Sequence, residues 1–311
     1  MTDSFIDLLD LASERLGAAA ISCNDEFFAA KDNLVKPSAP QWREGEYTDR
    51  GKWMDGWETR RRRDLTAESH DWCVVRLGVR GVVKGVDVET THFKGNFPES
   101  CAIDVGDGTA WREVLPRTAL KGDAHNHFRI ADSPAATHLR LRIFPDGGVA
   151  RLRAYGDVVA DWDRLRQRGD VDLAAAEHGG LVVECSDMFF GSRHNLIMPG
   201  DARNMGDGWE TKRRRGPGHD WTVVRLAAKG TVRRVEVDTR HFKGNAPGAC
   251  SLEASTDGST WTELLSRTPL SPHTQHSFED QIRSIRDITH VRFNIFPDGG
   301  VGRLRLFGRP A

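Results

Sequence analysis

Nearly the same text occurs twice in this chain. HDWCVVRL at His70–Leu77 returns as HDWTVVRL at His219–Leu226, and THFKGN at Thr91–Asn96 returns as RHFKGN at Arg240–Asn245. IFPDGGVARLR at Ile143–Arg153 returns as IFPDGGVGRLR at Ile295–Arg305. The copies keep their order and almost their register over half the chain. This is one supersecondary plan used twice, far longer than the unit of a solenoid. Two copies need two cores, and a chain of 311 residues can supply them. Each half is long enough to bury roughly 68–70% of its unfolded surface. A residue type kept in both copies answers a demand of the shared fold or of a shared site.

Within each copy the dominant period is two. Leu139, Leu141 and Ile143 alternate with Arg140 and Arg142, and Val291, Phe293 and Ile295 alternate with Arg292 and Asn294. Strict alternation describes strands with one dry face and one wet face. GVVKGVDVET at Gly81–Thr90 and GTVRRVEVDT at Gly230–Thr239 read the same way. Asp-Gly pairs and PDGG break strand pairs into hairpins. Short strands with Gly and Asp turns indicate an all-β chain of two antiparallel sandwiches or jelly rolls. Residues 1–156 are expected to form the first, 157–180 a helical linker without counterpart elsewhere, and 181–311 the second. Leu8, Leu9, Ala12 and Leu16 suggest a short N-terminal helix closed by Gly17. The first copy carries an insertion between Pro37 and Met54, around WREGEYTDR, which reads as a surface loop.

The bulk chemistry narrows the function. A formal charge of −1 with 29% charged residues provides no field for nucleic acid or acidic membranes. No run approaches the ~20 apolar residues of a membrane span. The acidic, amphipathic start MTDSFIDLLDLASERLG is not a signal peptide. Five cysteines in strand-like apolar context read as buried free thiols in a reducing compartment. The expected location is the cytoplasm.

Four duplicated motifs carry chemistry. DGWETRRRR at Asp55–Arg63 and DGWETKRRR at Asp207–Arg215 join a turn, a tryptophan anchor and a basic run. An arginine fork can grip a carboxylate, or the run can be a solvated edge kept from aggregating by its charge. In an extended run Arg60 and Arg62 share one face. HFKGN, at His92–Asn96 and His241–Asn245, follows a strand and ends near a glycine. Its histidine can exchange protons near neutral pH, its lysine can neutralise an anion and its amide can meet a carbonyl. Asp146 and Asp298 of FPDGG are candidate bases, although the string makes a good turn by composition alone. His70 and His219 precede strands and read as structural. HNH at His125–His127 has the spacing of some metal sites, but the second copy has TQHS there and no matching ligand set is evident nearby. The signatures of serine nucleophiles, P-loops and zincins do not occur.

Taken in order and in duplicate, the motifs NDEFF…DNLVKP, DGWET[RK]RRR, HDW…VVRL, HFKGN and IFPDGGV…RLR resemble the allantoicase family (allantoate amidinohydrolases) over nearly the whole chain. The resemblance implies a repeated jelly roll of the galactose-binding-like type. It also implies hydrolysis of allantoate to ureidoglycolate and urea. Residue roles follow from the substrate's chemistry. A carboxylate bearing two ureido groups on one carbon needs a cation, an acid–base group and amide partners. His92 and His241 are the expected acid–base groups, with Glu58 and Glu210 as alternatives where burial raises their pKa. Arg60, Arg62, Lys94 and Lys243 are the expected cations, and Asn96 and Asn245 the expected partners of the ureido arms. No metal or other cofactor is assigned, divalent-cation dependence is left open, and a homo-oligomer is expected. The alternative is a tandem carbohydrate-binding module without catalytic activity, presenting Trp53, Trp57, Trp209 and Trp261 to sugars.

Overall fold

The computed structural model describes residues 4–311; Met1–Asp3, which open the acidic N-terminal segment, lie outside them. The chain divides between Val159 and Ala160 into two compact units. Each is a jelly-roll β-sandwich organised by one long strand.

In the first unit that strand is Asp71–Glu89, 19 residues long. Its first stretch pairs with Ala19–Cys23 and with Ala135–Phe144, in a register that sets Cys73 opposite Leu141 and Val75 opposite Leu139. Its last stretch pairs instead with Arg151–Val158 and with His127–Arg129. One strand thus serves both layers. Ser100–Gly106 and Trp111–Ala119 extend the first layer, and Leu9–Asp10 extends the second. A register shift opposite Tyr155 and Gly156 changes which parity faces inward. Cys73, Val75 and Leu77 are buried before it, and Val86 and Val88 after it. The alternation read in the sequence holds, since Leu139, Leu141 and Ile143 are fully buried. On the outer face Arg140 and Arg142 donate through Nε to Asp104 Oδ2 at 2.8 and 3.0 Å.

The second unit repeats the plan. Asp220–Asp238 pairs first with Leu181–Cys185 and Ile288–Phe296, then with Arg303–Pro310 and Gln275–Phe278. Val291, Phe293 and Ile295 fill its core.

Two expectations are corrected. The helical period at the N-terminus yields 3-10 turns at Phe5–Asp7 and Glu14–Leu16, because Leu9 and Asp10 are captured by the strand edge. Gly17 does close the second turn, at φ 95°. The 157–180 segment does have a counterpart. Its α-helix is limited to Trp162–Arg166, and Val171–Gly179 reproduces Leu9–Gly17. Asp10 Oδ1 accepts from the Ala12 and Ala154 amides, and Asp172 Oδ1 from those of Ala174 and Leu306. The two stretches share only Asp-Leu-Ala and a closing glycine, Asp10–Ala12 with Gly17 and Asp172–Ala174 with Gly179, a match too short to stand out in the sequence.

A buried ion pair ties the DGWET turn to the sandwich. Arg151 Nη2 donates to Asp55 Oδ2 at 2.8 Å, Nη1 to the carbonyls of Asp55 and Ala150, and Nε to that of Ser38. Arg303 makes the equivalent contacts to Asp207, Gly302 and Gly200. Replacing Arg151 by Ala leaves a buried carboxylate without its main partner, which costs about 3–5 kcal/mol. Denaturant unfolding of R151A against the parent checks this; a loss within about 1 kcal/mol would show that the pair is dispensable.

Candidate active site

The three best-preserved motifs of each copy meet at one end of its sandwich. Trp57 and Glu58 pair with Val149 and Gly148 of the FPDGG turn. The Gly148 amide donates to the Asn96 carbonyl at 2.7 Å, which fastens the HFKGN loop to the same turn. Thr59 Oγ1 accepts from the Gly147 amide at 3.1 Å, and Asp146 Oδ2 accepts from the Arg62 amide at 2.7 Å. In the second copy Trp209 and Glu210 pair with Val301 and Gly300, and Gly300 donates to Asn245 at 2.9 Å. Thr211 and Asp298 take the places of Thr59 and Asp146.

At this junction Asn96 Nδ2 donates to Glu58 Oε1 at 2.8 Å, and Asn245 Nδ2 donates to Glu210 Oε1 at 2.6 Å. Both carboxylates are half-buried. Burial pushes the Glu58 carboxyl above its ordinary range, and the Asn96 hydrogen bond opposes that only in part. Each copy thus sets a half-buried carboxylate beside an amide, and at Glu58 burial favours the protonated form.

The other expected residues take different surroundings. His92 and His241 sit in the left-handed region, at φ 72° and 73°. Their Nε2 atoms lie 3.3 Å from the Pro40 carbonyl and 2.8 Å from the Ala202 carbonyl. A carbonyl only accepts, so Nε2 carries the hydrogen and Nδ1 is the nitrogen left for chemistry. Lys94 is 78% exposed and stands 3.9 Å from Asp123, and Lys243 is exposed. Arg60, 65% exposed, lies 3.3 Å from Asp25 and over the Phe27 ring. Arg62 is held inward, Nη1 donating to Asp71 Oδ1 at 2.6 Å and to the His70 carbonyl, with Asp64 on Nη2. Arg214 makes the same grip on Asp220 and His219.

Around Arg60 the structure gathers groups that the sequence did not join to it. Cys23, Asn24, Asp25, Glu26, Phe27, Arg50 and Arg60 line an open cavity of about 510 Å³. Arg50 belongs to the insertion, whose hairpin of Tyr47–Thr48 and Gly51–Lys52 lies against Phe28. The second copy lacks this cover, and Phe189 and Phe190 are 70% and 62% exposed. The structure also places Asp87 beside the HNH histidines, supplying the carboxylate that the sequence did not reveal. The tryptophan face of the carbohydrate-binding alternative does not form. Trp57 and Trp209 are fully buried, each donating through Nε1 to the carbonyl of Asp25 or Asp187 at 2.8 Å. Trp53 and Trp261 are capped by Arg43 and Arg292. The five cysteines are free. Burial pushes Cys23 up to about 11 and Cys101 and Cys250 up to about 12, so none is a ready nucleophile.

Fold and site define a tandem jelly-roll protein with the same half-buried carboxylate–amide pair in each sandwich. A family model described as the allantoicase repeat matches residues 9–159 and again 171–311. A probable allantoicase of Pseudomonas paraeruginosa is 49% identical, covering 98% of this chain and 97% of its own length. One from Photobacterium profundum is 46% identical, again covering 98% and 97%. The crystal structure of allantoicase from Saccharomyces cerevisiae aligns with a TM-score of 0.85 at 33% identity, over 96% of this chain and 92% of that one. The chain belongs to the allantoicase family.

The raised pKa of Glu58 has a stability consequence. The folded state keeps the proton at pH values where the unfolded chain has released it. Stability therefore falls as pH rises from the ordinary 4.5 through the folded value. Glu58→Gln removes that fall. Denaturation midpoints of parent and E58Q, measured from about pH 4 to pH 7, are expected to diverge in favour of the variant as pH rises. Parallel profiles would show that Glu58 titrates normally.

Proposed function

We propose that this protein is an allantoicase, hydrolysing allantoate to ureidoglycolate and urea in the breakdown of purine-derived allantoin. The observation that carries this is the match of both copies, along nearly their whole length, to the allantoicase repeat.

Allantoate has one carbon bearing a carboxylate and two ureido groups. A proton goes to the nitrogen of one ureido group, its bond to that carbon breaks, and urea leaves. The remaining ureido nitrogen supplies the electron pair and keeps its hydrogen, giving an N-acyliminium ion. Water adds to the iminium carbon and loses a proton, giving ureidoglycolate. Glu58 and Glu210 are assigned the proton transfers, supported by half-burial and by the amide hydrogen bond on one oxygen only. Asn96 and Asn245 orient those carboxyls and offer their carbonyls to the ureido N–H groups. His92 and His241 act through Nδ1 as second proton carriers. Arg60, Lys94 and Lys243 receive the carboxylate, since they are the more exposed of the expected cations. Arg62 is assigned to hold the basic loop, because its guanidinium is already occupied. No cofactor is needed for these proton transfers as written.

The described residues include no helix long and apolar enough to cross a membrane. We propose a cytoplasmic homo-oligomer acting on the small molecule alone, without nucleic acid or membrane. Exposed Met188, Phe189 and Phe190 support self-association.

Purified protein given allantoate is expected to release urea and ureidoglycolate in equal amounts; no release with or without divalent metal rejects the proposal. Glu58→Gln and Glu210→Gln are each expected to lower kcat by about 10²–10⁴-fold at a site they serve. Arg60→Ala is expected to raise KM by roughly 10–100-fold, the worth of one charge-assisted contact. Unchanged kcat in the folded E58Q/E210Q double variant would remove both carboxylates from the chemistry.

A further inference from the structure

The first copy carries a cluster that the second lacks. In the second layer of its sandwich, Asp87 is paired across the sheet with His127 on one side and Arg153 on the other. His127 Nε2 lies 3.4 Å from Asp87 Oδ2. His125 turns back from beyond the strand end, with Nδ1 2.6 Å from the same oxygen and Nε2 3.6 Å from Glu89 Oε1. One donor atom from each of Asp87, His125 and His127 falls within 4.8 Å of the others. The carboxylate is buried and its Oδ1 accepts from the Asn126 amide at 3.1 Å, which aims Oδ2 at both imidazoles. The imidazoles are 57% and 45% exposed, so the cluster opens to solvent.

The fold does not require these side chains. The second copy builds the same strand pairing with Glu236 opposite Ser277 and Asp238 opposite Gln275. There Gln275 donates to Glu236 at 3.3 Å, an ordinary amide–carboxylate contact. Two imidazoles converging on one fixed carboxylate oxygen are an addition of the first copy alone.

We propose that Asp87, His125 and His127 bind a divalent transition-metal ion, with Glu89 as the neighbouring fourth donor. Two imidazoles and a carboxylate suit zinc and its first-row neighbours. Metal bonds of about 2.0–2.2 Å require the donors to close further, which rotations of the two half-exposed histidines provide. The site reaches the HFKGN loop through one short link. Asp123, two residues before His125, accepts from the His92 amide at 2.8 Å and faces Lys94. The ion thus anchors the segment that supports this loop, a positioning role independent of the hydrolytic assignment.

Full-length protein without a histidine tag, titrated with Zn²⁺ by calorimetry, is expected to bind one ion per chain at this site. Co²⁺ is expected to show the visible absorption of a low-symmetry site with nitrogen and oxygen donors. His125→Gln with His127→Ser, the residues of the second copy, is expected to weaken Zn²⁺ binding by about 100-fold or more. The substituted side chains are half-exposed, so circular dichroism and the metal-free melting midpoint should stay as in the parent. His276→Asn, at the aligned loop of the second copy, is expected to leave binding unchanged. No Zn²⁺ binding by the parent, or equal binding by the double variant, overturns the proposal.

Discussion

The close approach of an aromatic ring to a bare backbone organises the end of each sandwich where the duplicated motifs meet. A Cβ built on Gly148 would stand 2.0 Å from the Phe93 ring, and one on Gly300 would stand 2.0 Å from that of Phe242. Any side chain there would push the ring away. With glycine, Phe93 seats the HFKGN loop on the FPDGG turn, among Ala29, Met54 and Ala150. The Asn96 carbonyl then reaches the Gly148 amide, and the Asn96 side chain reaches Glu58. The Arg151–Asp55 pair holds the third partner, the DGWET turn, against the same place.

The two copies share this junction and differ around it. The insertion of the first covers Phe27 and Phe28 and brings Arg50 to the cavity that Arg60 also lines. Its Pro40 carbonyl is the partner of His92, whereas Ala202 of a shorter loop serves His241. The second copy leaves Phe189 and Phe190 bare and replaces the histidine cluster by Gln275 and Ser277. Duplication therefore preserved the scaffold and the carboxylate–amide pair, while each copy kept different surroundings.

Much of this was legible in the residues. Leu139, Leu141 and Ile143 alternate, and they are buried; Arg140 and Arg142 alternate with them, and they meet Asp104 outside. The family was legible because its motifs occur in order and twice. The site was legible only in part. Glu58 and Asn96 were both candidates, but nothing in their spacing said that they touch, because the FPDGG turn, strand-paired to Glu58 and hydrogen-bonded to the Asn96 loop, brings them together across 38 positions. Arg62 and Trp57 read as binding groups from composition, and both are occupied inside the fold. The N-terminal helix failed because a sheet edge offers Leu9 and Asp10 backbone partners that a short isolated helix cannot match.

By itself, then, the order of residues determined the duplication, the β period, the turn positions and the family, because these depend on neighbours along the chain. Only the folded sandwiches decided which polar groups remain available. That depends on which groups folding brings together: Asn96 with Glu58, Asp71 with Arg62, and Asp87 with the two histidines. Such partners are not neighbours along the chain, and their charge and hydrogen-bond balance exists only once strands and loops are in place.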